Sequence, residues 1–273
     1  VTPFVTADGL RLDYTDQGQG PAVLCLPGLT RDLRDFDELA AALSGVRLLR
    51  LTPRGRHGSD WAQAASSYNI AAESADSLAF LDFLGVEKAV IIGTSRGGLQ
   101  AMVMAATAPE RLAGVVLNDI GPELSADGLG RIMDYLGIAP RAQSLPELVA
   151  ALRATMGGGF PGLSAEKWET LARRWFDVRD DGIGLTYDPK IRDAVIEQSA
   201  TPAPDLWPFF DLLPVPLAVI RGANSDLLSA QTVARMKARR PALISAEVPN
   251  RGHVPFLDEP QALAAIHAVL EQI

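Results

Sequence analysis

The chain has 273 residues, 48% of them hydrophobic and 21% charged, enough for one large domain or a core domain carrying a sizeable insertion, and too apolar for a disordered chain. A net charge of −8 argues against a nucleic-acid backbone or an anionic membrane surface as partner, which leaves a small-molecule substrate as the expected one. No stretch approaches the ~20 apolar residues of a membrane span, and "VTPFVTADGLRLDY" lacks the basic start and apolar centre of a signal peptide, so a cytoplasmic protein is expected.

Residues 10–15, "LRLDYT", alternate in polarity and read as a half-buried antiparallel strand closed by "DQGQGP". Five later runs are predominantly apolar: 22–26, 46–51, 89–93, 114–119 and 216–222. That is how parallel strands covered on both faces read. Cys25, the single cysteine, lies in the first of these runs and is expected to be a buried strand residue. Helical patterns alternate with the runs, as at 36–43 and 70–84, the second with Asn69 as N-cap and Gly85 as its stop. Strand and helix in repeated alternation predict an α/β fold, a mostly parallel sheet flanked by helices. The alternation lapses over 121–208, where helical patterns recur at 129–136, 145–156, 164–176 and 189–198. The expected organisation is therefore a core in two parts, 1–120 and 209–273, with a helical insertion at 121–208 that reads as a lid.

The stretch "IIGTSRGGLQ" (91–100) carries the chemistry. As a dinucleotide loop it fails, because Leu99 stands where a glycine must let the backbone approach a pyrophosphate. None of the four tyrosines is followed four residues on by the lysine such dehydrogenases need, and the chain contains no phosphate-binding G-x-x-x-x-G-K-[ST]. Read instead as Gly93-Thr94-Ser95-Arg96-Gly97 between a strand and a helix, it is a tight turn that exposes a serine hydroxyl above the sheet, with glycines where the backbone crowds. A serine needs a base. His253 follows a further apolar run, 242–248, on the same rim as Ser95; His57 is also on the rim but has no nameable partner, and His267 sits inside a helical pattern. The base needs a carboxylate to orient it. Asp226, after run 216–222, is the expected partner, with Asp119, after run 114–119, as the alternative.

These residues, with "LPGLTRD", "PRGRHGSD", "LNDIGP" and "RGHVPFLDEP", resemble the α/β-hydrolase superfamily along essentially the whole chain, in particular its lidded esterases, lactonases and carbon–carbon bond hydrolases. The resemblance implies an eight-stranded, mostly parallel sheet with a helical lid after strand six, and no cofactor. It implies Ser95, His253 and Asp226 as catalytic residues, and an oxyanion hole formed by the backbone N–H groups of Leu29 and Arg96. It also implies an acyl-enzyme, since relatives that open epoxides or remove halogen carry aspartate at the Ser95 position. The chemistry expected is cleavage of an ester, lactone, thioester or activated carbon–carbon bond in a small apolar substrate. A perhydrolase using the same residues and a non-catalytic ligand-binding member are the alternatives. Two departures stand out: the usual His-Gly before the oxyanion donor is Pro27-Gly28, and His57 replaces a glycine and reads as a solvated loop histidine. Met133, Phe160, Trp168 and Trp175 are candidate pocket residues. The Arg96 side chain is another, able to hold a substrate carboxylate unless it pairs with an acid of the protein.

Overall fold

The computed structural model describes residues 2–202, 204–214 and 216–273; Ala203, in the expected insertion, and Val215, beside an expected strand, lie outside the described residues. The strands are β1 (Phe4–Val5), β2 (Arg11–Leu12), β3 (Tyr14–Gly18), β4 (Ala22–Leu26), β5 (Arg47–Leu51), β6 (Ala89–Thr94), β7 (Leu112–Asn118), β8 (Phe176–Arg179), β9 (Gly182–Leu185), β10 (Leu217–Gly222) and β11 (Ile244–Val248). The helices are α1 (Asp37–Ala42), α2 (Ile70–Phe83), α3 (Arg96–Thr107), α4 (Ala126–Tyr135), α5 (Leu145–Met156), α6 (Ala165–Trp175), α7 (Lys190–Ser199), α8 (Trp207–Asp211), α9 (Ala230–Arg239) and α10 (Pro260–Leu270).

The central sheet runs β11-β10-β7-β6-β4-β5-β3, parallel except for β3. Alternate residues of each strand enter two separate cores. Leu24, Leu26, Ile91, Val115 and Val219 pack on the face covered by α2 and α3, while Val23, Cys25, Val90, Val116 and Ile220 pack against α1 and α10. Burial on both faces explains why these strands read as unbroken apolar runs rather than as an alternation. Cys25 is fully enclosed, and burial pushes its thiol up, away from thiolate chemistry.

Two details differ from expectation. The central sheet has seven strands among the described residues, not eight, because the first ladder breaks at Asp13. The N–H of Asp13 donates to Ser59 Oγ at 2.9 Å, which leaves β1 and β2 as a separate antiparallel ribbon. The stretch between β7 and β10 carries α4 to α7 at the four expected places, but also an antiparallel hairpin, β8–β9. With Gly182 and Gly184 in its second strand, that hairpin had almost no β-forming signal to read.

The strand order puts a switch point between β4 and β6: the chain leaves β4 toward β5 on one side, and leaves β6 toward β7 on the other. At such a point the loops beyond the strands' C-terminal ends diverge and open a crevice. The loops after β4, β6, β7 and β11 all end there.

Candidate active site

Ser95 is the residue between β6 and α3, held at φ 51°, ψ −115°. That backbone is costly for a residue with a side chain and persists only where its surroundings enforce it. Here the surroundings are the glycines expected from the motif. A Cβ on Gly93 would lie 2.5 Å from Gly98 N, and one on Gly97 would lie 2.0 Å from Leu26 O. No other residue lets α3 turn back this tightly against β4 and β6.

His253 comes from the loop after β11, which must cross the end of β10 to reach Ser95. Gly222, the last residue of β10, makes the crossing possible, because a Cβ there would meet Arg251 O and Gly252 O at 2.4 Å. Asn118 holds the far side of the loop, its Nδ2 donating to Pro255 O at 3.1 Å. His253 Nε2 then lies 2.9 Å from Ser95 Oγ, and Nδ1 lies 2.7 Å from Asp119 Oδ2. The carboxylate only accepts, so Nδ1 carries the proton and Nε2 is left to accept from the serine hydroxyl.

The carboxylate at His253 is therefore Asp119, not the expected Asp226. Asp119 follows β7, is fully buried, and also accepts from Gly222 N–H (2.8 Å) and Ser225 Oγ–H (2.5 Å). The reason lies in the turn after β10. Ser225 N–H donates to Gly222 O at 2.9 Å, and this tight turn sends the Ser225 side chain inward. The next residue, Asp226, is sent outward, where it pairs with Arg131 at 2.7 Å on the surface. β7 and β10 are neighbours in the sheet, with Asn118 level with Ile220, so a carboxylate at either end lies within reach of the same imidazole.

On the other side of Ser95, the loop after β4 presents Leu29. The N–H groups of Leu29 and Arg96 find no acceptor in the loop and turn hydrogen bonds among the described residues. For Arg96 this follows from its place as first residue of a helix, with no preceding turn to receive its proton. Leu29 lines the crevice at Ser95, and Arg96 follows Ser95 directly in the chain. The side chain that braces the loop, in place of the absent histidine, is Arg56. It is fully buried, and its Nε donates to Leu29 O at 2.9 Å. Its Nη1 reaches Glu73 Oε1 at 2.8 Å, and the other oxygen of Glu73 takes Arg96 Nε at 2.7 Å. One buried carboxylate on α2 thus ties together both backbones that carry the free N–H groups. Burial alone would raise the Glu73 pKa, but Arg56 and Arg96 outweigh it and keep the group ionised. The motifs contained no signal for Arg56 and Glu73 as a pair, since they meet only through tertiary packing.

The same network removes Arg96 from the list of pocket side chains, because its guanidinium points away from the crevice into Glu73. Of the other candidates, Phe160 and Trp175 line the cavity at Ser95, together with Met156, Ile132 and Tyr135. Trp168 is buried behind Phe160, edge-on at 6.4 Å. Met133 faces a different cluster, around Tyr68 and Leu136. His57 and His267 are both exposed, on a loop and on α10. The cavity holds about 80 Å³, small beside the roughly 300–1,000 Å³ of drug-sized ligand sites. No group of three or more potential metal ligands occurs among the described residues, and no helix there is long and apolar enough to cross a membrane.

Comparison with known proteins agrees with this architecture. The family model described as "Alpha/beta hydrolase family" matches residues 23–266. A 3-hydroxybutyrate-oligomer hydrolase of Cupriavidus necator is 37% identical, over 93% of this chain and 90% of its own. A 2-(acetamidomethylene)succinate hydrolase of Mesorhizobium japonicum is 27% identical, over 89% of this chain and 85% of its own. The crystal structure of an alpha/beta hydrolase from Novosphingobium aromaticivorans superposes with a TM-score of 0.92, at 42% identity, covering 100% of this chain and 98% of that one.

Proposed function

The chain belongs to the alpha/beta hydrolase family and is a hydrolase, and we propose that it is a serine esterase working through an acyl-enzyme. The observation that carries this reading is the unbroken line Ser95 Oγ, His253 Nε2, His253 Nδ1, Asp119 Oδ2, with contacts of 2.9 and 2.7 Å. Ser95 attacks the ester carbonyl while His253 takes its proton, and buried Asp119 holds the imidazole in the tautomer that can accept it. The negative charge that forms on the carbonyl oxygen meets the N–H groups of Leu29 and Arg96. His253 next protonates the departing alkoxide. It then deprotonates a water that attacks the acyl-enzyme, releasing the acid and restoring Ser95.

The bond class follows from the relative named for 3-hydroxybutyrate oligomers, whose links are oxoesters, and a cavity of about 80 Å³ favours short chains. The segment between β7 and β10 acts as the lid over this site. It is latched to the core where Lys167 and Arg174 of α6 meet Glu38 of α1 at 2.6 and 2.8 Å. The test is labelling with a fluorophosphonate probe alongside turnover of a 3-hydroxybutyrate dimer. Ser95 takes the label in the wild-type protein, and Ser95→Ala neither labels nor cleaves; a Ser95→Ala variant that still cleaves the dimer refutes the reading.

A further inference from the structure

Two arginines, Arg31 and Arg174, line the cavity beside Ser95, and they are held very differently. Arg174 is held in a two-pronged contact with Glu38, Nη1 to Oε2 at 2.8 Å and Nη2 to Oε1 at 2.9 Å. Arg31 donates no side-chain hydrogen bond among the described residues. Its nearest acid is Asp35, and the 3.8 Å between Nε and Oδ2 is too long for one. Asp35 instead accepts from Trp175 Nε1 at 3.1 Å. The Arg31 guanidinium carbon lies over Trp175, 4.0 Å from the ring centre, a cation–π contact that does not consume its N–H groups. With 21% of its side chain exposed, it is largely screened from water as well. A poorly hydrated guanidinium that donates no side-chain hydrogen bond among the described residues, its one acid held off at 3.8 Å, is the arrangement that binds a carboxylate.

Its position relates it to the reaction. Arg31 follows the oxyanion loop two residues after Leu29, and its own N–H is tied to Gly28 O at 3.2 Å. A side-chain carbon placed on Gly28 would lie 3.6 Å from Arg31 Cγ and 3.8 Å from Ser95 Cβ, so both side chains flank the same glycine. A ligand engaging both needs only a short chain between its scissile carbonyl and its charge. Among the described residues lining the cavity the one carboxylate is Asp35, whose Oδ2 faces Arg31 Nε at 3.8 Å; the walls Ile132, Tyr135, Phe160 and Phe256 carry no charge.

We propose that Arg31 binds the free carboxylate of the substrate and so selects short anionic esters, cleaved next to their acid end, over neutral esters of the same length. This rests on the esterase reading above and deepens it. The relatives' named substrates do not single out a residue, and the motif suggested Arg96, which the Glu73 contact rules out.

The experiment compares a 3-hydroxybutyrate dimer with its methyl ester on wild type, Arg31→Gln and Arg31→Lys. The quantity read is the ratio of the two kcat/KM values, so a general loss of activity cancels. The expected ratio falls about 10- to 100-fold in Arg31→Gln, mainly through KM for the acid, and Arg31→Lys restores part of it. An unchanged ratio in Arg31→Gln overturns the proposal. Calorimetric binding of both compounds to Ser95→Ala and to Ser95→Ala/Arg31→Gln separates this from failure of the esterase reading. If the wild type cleaves neither compound and Ser95 takes no label, the esterase reading falls and binding alone decides. Selective loss of affinity for the acid then supports the role of Arg31, and equal loss for acid and methyl ester refutes it.

Discussion

Replacing Glu73 with glutamine tests whether the buried Arg56–Glu73–Arg96 network builds the oxyanion hole. The Glu73 side chain has no exposure, and its partners have 1% and 9%. The substitution keeps the volume but removes the anion shared by two buried cations, and it turns an –NH2 toward a guanidinium that can only donate. Arg56 Nη2 already lacks an acceptor among the described residues, so nothing nearby takes over. Breaking a buried ion pair from one side costs about 3–5 kcal/mol. For a chain of this size that lowers Tm by roughly 6–20 °C, read by calorimetry. Turnover measured well below the new Tm should fall as well, since Arg56 also holds Leu29 O; removing an oxyanion donor outright costs about 10²–10³ in kcat, and a displaced one less. The triple variant Arg56→Met/Glu73→Leu/Arg96→Met separates the two effects. It should recover most of the stability, because apolar residues of similar volume replace a buried ion network at little cost. It should not recover kcat, because Leu29 still lacks its brace. A Glu73→Gln protein with unchanged Tm, or a triple variant with wild-type turnover, refutes the reasoning.

Three further outcomes follow from the site and its surroundings. Asp119→Asn should lower kcat by about 10⁴, because the amide can donate to Nδ1 and so favours the wrong tautomer. Asp226→Asn should leave kcat within about twofold, since its pair with Arg131 is a surface contact worth about 0–1 kcal/mol; the reverse pattern in steady-state assays returns Asp226 to the site. Acid should release α6 from α1. Burial raises the Glu38 pKa, but Arg174 and Lys167 outweigh it and hold the group at about 2. A depressed carboxylate stabilises above its unfolded value and loses that contribution as pH falls through its folded one, here between about 4.5 and 2. Glu38→Gln should therefore cost about 1–3 kcal/mol at neutral pH and nothing near pH 2. Denaturant titrations across that range, with the two proteins keeping a constant gap at every pH, would refute it.

The parts of this molecule readable in advance are those where the backbone dictates the residue. Ser95 needs small neighbours because the turn leaves no room for a Cβ at Gly93, so the constraint appears as letters at fixed spacing. The core strands are legible for the same kind of reason, since burial on both faces demands unbroken apolar runs. The β8–β9 hairpin and the break at Asp13 escaped because weak strands and single hydrogen bonds leave no pattern in composition.

The carboxylate and the arginine failed for a different reason, which the geometry makes specific. Asp119 and Asp226 both follow parallel strands that lie side by side in the sheet, so order along the chain and position on the rim cannot separate them. What separates them is a single turn: Ser225 bonds back toward Asp119, and its neighbour is thereby sent to the surface. Arg96 and Arg31 present the same problem on the other side of Ser95. Both start beside the reacting centre, and the one nearer in sequence is claimed by an acid 23 residues away, on α2. Strand ends bring side chains to a site, but whether each faces substrate depends on which buried partner it meets first. Arg31 donates no side-chain hydrogen bond among the described residues and has Asp35 only at 3.8 Å, and this stands out only once the other charges around the cavity have been matched.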